Sequence, residues 1–163
     1  MLRHVATRAT SLAGILALLC GGVAVAAGRG TVTETEHVHH EVIFSEETTN
    51  PCNGEPGTLT VVGNSIFHVT FFENGDEGWA TGTLEGAATF APTNQSGVSA
   101  SGHFTAWFGG AQNNKNEVEH HTNTVHLKGS DGSRIVIHGN SHTSTNASGE
   151  VTVSFETERV TCA

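Results

Sequence analysis

Residues 121–138 read HTNTVHLKGSDGSRIVIH. Two runs of alternating apolar and polar residues flank Gly129-Ser130-Asp131-Gly132-Ser133. Alternation with period 2 marks a strand, because successive side chains point to opposite faces. A cluster of Gly, Ser and Asp between two such runs marks a tight turn. The stretch therefore predicts an antiparallel hairpin. The same pattern extends outward over segments 31–44, 58–63, 65–73, 78–91, 97–109, 116–128, 133–144 and 150–160. Asn74-Gly75-Asp76 and Ala147-Ser148-Gly149 supply further turns, and Pro51, Pro56 and Pro92 fall between segments. No stretch combines a 3.6-residue period with helix caps. Eight segments joined by short turns predict an all-β single domain, an antiparallel up-and-down barrel of about eight strands. Closure would remove the exposed sheet edges. A jelly roll or cupin-like double sheet is the alternative.

The turns suggest a register. With Gly129 opposite Arg134, Leu127 faces Val136, Val125 faces His138 and His121 faces His142. With Thr145 opposite Glu150, His142 faces Val153 and Asn140 faces Phe155. One face then carries Val125, Leu127, Val136, Val153 and Phe155, the expected interior. The same face carries His121, His138 and His142 with Asn123 and Asn140, the expected ligand-binding set. A one-residue slip in either hairpin would move these side chains to the other face. Elsewhere Val98, Ala100, Phe104, Ala106 and Phe108 share a face opposite His103 and Trp107. Phe67, Val69 and Phe71 share one opposite His68.

The chain begins with Arg3, His4 and Arg8, an apolar run from Leu12 to Leu19, and Ala24-Val25-Ala26-Ala27. That order is a secretory signal peptide over 1–26, leaving 27–163 as a secreted β-barrel domain. Gly21-Gly22 interrupts the run, so no transmembrane anchor is expected. A lipoprotein reading would centre on Cys20, but Leu19 is large for the position before a lipidated Cys. The full chain carries seven Lys and Arg against sixteen Asp and Glu, with eleven His. Without residues 1–26, five basic and sixteen acidic residues leave a charge of −11, with ten His. So few basic residues exclude a row of phosphate contacts, and no nucleic-acid partner is expected. Cys52 and Cys162 remain, and an even count in an exported chain favours a disulfide. A metal thiolate pair or free thiols are the alternatives. In a closed meander a bridge between them would lock the seam.

Thr49-Asn50-Pro51-Cys52-Asn53-Gly54-Glu55-Pro56-Gly57 resembles a segment in a family of small secreted, mostly actinobacterial proteins of uncharacterised activity. Gly102-His103-Phe104-Thr105-Ala106-Trp107-Phe108-Gly109-Gly110, Gly129-Ser130-Asp131-Gly132-Ser133 and the closing Val151-Thr152-Val153-Ser154-Phe155 before Cys162 are similar to its other signature stretches. The resemblance implies export, a β fold and the cysteine pair. At fold level the layout is similar to allene oxide cyclase, dirigent and lipocalin-like barrels, an analogy that sets no chemistry.

Four kinds of chemistry are open to these residues. A barrel of eight strands has room for one small ligand. Gly82, Gly86, Ala87, Ala88, Ala100 and Gly102 would leave space, and Phe67, Phe71, Phe90, Phe104 and Phe108 would fill it. Secondly, His121, His138 and His142 could converge on a divalent metal such as Zn, and His37 and His39 could chelate from one strand face. No cupin metal motif is present, and no other cofactor is expected. Thirdly, His138 or His142 with Glu119 or Glu150 could serve a cofactor-free isomerase or cyclase. No Ser-His-Asp constellation, G-x-S-x-G, H-E-x-x-H or nucleotide fingerprint is present, so a non-enzymatic binding protein is the leading expectation. Fourthly, protonating ten imidazoles would cancel most of the negative charge and favour assembly or adhesion in acid.

Overall fold

A computed structural model describes residues 30–72, 77–113 and 115–163. The signal-peptide and Cys20 expectations, and the turn at Asn74-Gly75-Asp76, lie outside the described residues. The described chain forms one antiparallel sheet of seven strands in sequence order. These are β1 (Thr31–Thr49), β2 (Pro56–Phe72), β3 (Gly78–Pro92), β4 (Ala100–Gln112), β5 (Asn116–Gly129), β6 (Arg134–Asn146) and β7 (Val151–Cys162).

Eight strands are expected from the sequence and seven are found, because segments 58–63 and 65–73 are one strand. Gly63 punctuates β2 without ending it. It lies opposite Gly86 of β3, and a Cβ on either glycine would press into the other strand's backbone. The pair lets β2 and β3 approach and bend together. At the same level β1 has a bulge, where the register shifts between Val38 and Glu41 and His40 takes φ 55°. A bulge bends its strand and increases local twist.

These bends curl the sheet. Phe44 of β1 meets Phe104 of β4 edge-on, with ring centroids 5.5 Å apart. Three strand spacings in a flat sheet would hold them about 14 Å apart. The concave face carries the core: Val61, Ala88, Phe90, Ala100, Phe104, Ala106, Val125, Leu127 and Ile135 are buried, with Phe44, Leu59, Leu84 and Ile137 packed against them. The expected alternation of Phe104, Ala106 and Phe108 inward against His103 and Trp107 outward is observed.

The ladder runs from β1 to β7, and no pairing joins those two strands among the described residues. Among the described residues the sheet is an open curl and not closed into the expected barrel. Both edges carry the features that discourage edge pairing. β1 has its bulges and Glu34, Glu36, Glu41, Glu46 and Glu47; β7 has Glu156, Glu158 and Arg159.

One end of the curl is tied shut. Cys52, in the β1–β2 turn, is bonded to Cys162 at the end of β7, with Cα atoms 5.8 Å apart across 110 residues of sequence. The turn is built for this. Buried Asn50 accepts the Cys52 N–H through its side-chain oxygen at 2.9 Å, and the Asn50 N–H donates to the Glu55 carbonyl at 2.8 Å. The Glu55 carboxylate in turn accepts the Val98 N–H at 3.2 Å, which attaches the β3–β4 loop to the same end.

Candidate functional site

The two C-terminal hairpins decide where the candidate residues point. In the β5–β6 turn the Gly129 N–H donates to the Ser133 carbonyl at 2.8 Å and the Gly132 N–H to the Gly129 carbonyl at 3.0 Å. Gly132 takes φ 90°. This is a three-residue loop with glycine in the left-handed position. Asp131 stabilises it by accepting the Ser133 N–H at 2.9 Å and the Ser133 hydroxyl at 2.6 Å. Those bonds hold the Asp131 carboxyl below its ordinary pKa. The β6–β7 turn repeats the design, with Asn146 bonded to Glu150 and Gly149 at φ 77°.

Each loop is one residue shorter than the sequence expectation; the β5–β6 slip sorts the candidates, while a bulge between Ser144 and Thr145 makes the β6–β7 shift two residues and leaves its faces unchanged. Leu127 faces Ile135 and not Val136; Val125 faces Ile137 and not His138; His121 faces Ser141 and not His142. Across β6 and β7, His142 faces Phe155 and Asn140 faces Thr157. His121 and Asn123 therefore lie on the concave face with Val125 and Leu127. His138, Asn140 and His142 lie on the convex face, as do Val136 and Phe155. The expected five-residue set is not one site. Three imidazoles do not converge, and among the described residues no group of three or more His, Cys, Asp and Glu is placed to hold a metal ion. The acid–base pairing of Glu119 with His138 or His142 is also absent, since Glu119 shares the concave face with His121. Glu150 belongs to the β6–β7 turn, where it accepts from the Asn146 side chain at 3.2 Å. His37 and His39 do come together, stacked with centroids 6.1 Å apart.

What remains is the far end of the concave face, away from the disulfide. Along β5 the same face changes character. Leu127 and Val125 are 6% and 4% exposed, whereas Asn123, His121 and Glu119 are only half-buried. Phe67 and Phe108 form the floor beside them, with centroids 5.3 Å apart. Their rings occupy the space over Gly82 that a side chain would need. Asn123 reaches over Gly139 in the same way. The facing register adds Glu34 and Glu36 of β1, Ser141 of β6, and Glu156 and Glu158 of β7. No Lys or Arg among the described residues shares this face: Lys128, Arg134 and Arg159 lie on the convex side, and Lys115 lies in the β4–β5 turn.

Burial, and then the neighbouring Glu117, raise the Glu119 pKa above the ordinary 4.5. Burial, and then the charge on His120, lower that of His121 below the ordinary 6.5. The two shifts act oppositely on stability. Since folding lowers the His121 pKa, the unfolded chain takes up that proton first, and stability falls as pH drops below 6.5. Since folding raises the Glu119 pKa, the folded chain takes up that proton first, and stability is gained as pH falls toward 4.5. An NMR titration is expected to place His121 below 6.5. His121→Asn should reduce the loss of urea midpoint between about pH 7.5 and 5.5. A midpoint equally pH-dependent in the variant would remove His121 as its source.

Sequence reasoning missed the acidic rim: the expected register puts Glu156 and Glu158 on the outer face with Lys128, and the observed register puts them on the concave face. Among the described residues no helix is long and apolar enough to cross a membrane. Comparison with protein-family models, with curated proteins and with solved structures gave no match.

Proposed function

We propose that this is an exported, non-enzymatic binding protein that holds a small ligand against the open end of the concave face. The disulfide is compatible with an oxidising, extracellular setting. We read the curl as a barrel-like container whose wall stays open between β1 and β7.

One observation carries this reading. On a single strand face, packed aliphatic side chains give way within a few residues to half-buried Asn123, His121 and Glu119 above an aromatic floor. Ligand sites combine apolar lining with a few placed polar groups in this manner. The charge of the rim sets the ligand class. Glu34, Glu36, Glu117, Glu119, Glu156 and Glu158, with no Lys or Arg on that face among the described residues, favour a cation, and Phe67 and Phe108 favour an apolar body. The expected ligand is a small hydrophobic amine.

A thermal-shift screen of matched amines, neutral amides and carboxylic acids tests this. Amines are expected to raise the Tm and acids to leave it unchanged. Glu119→Gln, which keeps shape and removes charge, should weaken amine binding about tenfold, one charge-assisted hydrogen bond's worth. Equal shifts for amines and acids, or amine affinity unchanged in Glu119→Gln, would overturn the reading.

A further inference from the structure

The convex face holds most of the histidines; His126 and His138 pair with ring centroids 6.1 Å apart, and a second row is closed at both ends by larger aromatic rings. Trp107 of β4, His120 of β5, His142 of β6 and Phe155 of β7 follow one another across four adjacent strands. Ring centroids are 5.6 Å apart from Trp107 to His120, 5.8 Å from His120 to His142 and 5.5 Å from His142 to Phe155. His120 and His142 are directly opposite in the β5–β6 ladder. Gly109 makes room for the row. The Trp107 ring lies over it, with the nearest ring carbon 2.7 Å from where a Cβ would stand.

We propose that His120 and His142 form a two-imidazole site for a divalent transition-metal ion, Cu2+ ahead of Zn2+ and Ni2+. Three observations support it. The first is separation. Two imidazoles with metal–nitrogen bonds of about 2.0–2.1 Å place their ring centroids about 5 Å apart on a tetrahedral ion and about 4.5 Å apart in adjacent equatorial positions of tetragonal Cu2+. The observed 5.8 Å must close by about 1 Å, through rotation of the two side chains. The second is geometry. The rings are inclined at 59°, so they are not stacked face to face as His37 and His39 are. The third is enclosure. Trp107 flanks His120, and Phe155 stacks on His142 with an interplanar angle of 24°. Both imidazoles are half-buried between these partly exposed rings, which limit their rotation.

With no third protein ligand among the described residues, two or more coordination positions stay open to water or to an external donor. The Cu2+ preference follows the Irving–Williams order for nitrogen ligands. This site lies on the opposite face from the amine site and stands independently of it.

Trp107 is a built-in reporter, since paramagnetic Cu2+ between His120 and His142 would quench its fluorescence. The test uses protein without an affinity tag and carrying Trp79→Phe, so that Trp107 alone emits. Titration with CuCl2 is expected to quench with a micromolar Kd and one ion per quenched Trp107. His142→Ala and His120→Ala should each weaken that phase at least tenfold, and His126→Ala should leave it within twofold. Electron paramagnetic resonance should show two equatorial imidazole nitrogens in the parent and fewer in either variant. Far-UV circular dichroism checks that the variants fold, and should either fail, His120→Gln and His142→Gln replace them. Quenching within twofold of the parent in the His120 and His142 variants, or only in the millimolar range in the parent, would overturn the proposal.

Discussion

Replacing both Cys52 and Cys162 by Ser is expected to remove about 4–5 kcal/mol of stability, read from urea unfolding with the slope held in common. The figure follows from loop closure. The bond joins positions 110 residues apart, so it withdraws a large amount of freedom from the unfolded chain. A domain of this size has about 5–15 kcal/mol in all. The variant should therefore sit near its folding threshold. The loss is also structural in origin here, because no ladder joins β1 to β7 among the described residues. In the variant, amide exchange should rise first in the β1–β2 turn and along β7. A loss under about 1 kcal/mol would mean that the unfolded chain is already compact around the core, contrary to the loop-closure account.

Phe104→Ala is expected to cost about 3–5 kcal/mol. Phe104 is 7% exposed and lies between Gly86 and Val125 in the ladder. The glycine opposite leaves the ring as the main filler of that part of the core. The ring also meets Phe44, so its removal breaks the contact that brings β1 over β4. Edge-on aromatic pairs contribute about 0.5–1.5 kcal/mol beyond their buried area. Phe44→Ala and the double variant complete a mutant cycle, and a coupling energy near zero would show that the curl does not depend on this pair. The urea slope should change little, since the ring is lost and the sheet remains.

How far the sequence could be read depended on whether a pattern was local. Alternation in β4 placed Phe104, Ala106 and Phe108 inward and His103 and Trp107 outward, since neighbouring residues settle that question. The turn at Gly129–Ser133 was also legible, as was the pairing of Cys52 with Cys162. What failed was loop length. Gly132 and Gly149 in the left-handed region make each loop three residues long. A glycine at the third loop position is the signal that could have indicated this. One residue is enough to send His138, Asn140 and His142 to the convex face while leaving His121 and Asn123 inside. Gly63 misled for a different reason. A glycine marks a turn or a bend equally well, and the partner that decides, Gly86, is more than twenty residues away in sequence. The open seam was not legible, because alternation specifies faces within strands and not whether the first strand meets the last.

That seam gives the molecule the mechanics of a split ring clamped on one side. At the clamped end, Cys52–Cys162 fixes the gap to one covalent span. At the far end, spreading β1 from β7 breaks no backbone hydrogen bond between them and works only against the bending stiffness of the sheet. The aperture above Phe67 and Phe108 is then a compliant dimension. On the proposed binding function, guests of different girth would be accommodated by flexing the wall, without unzipping any strand.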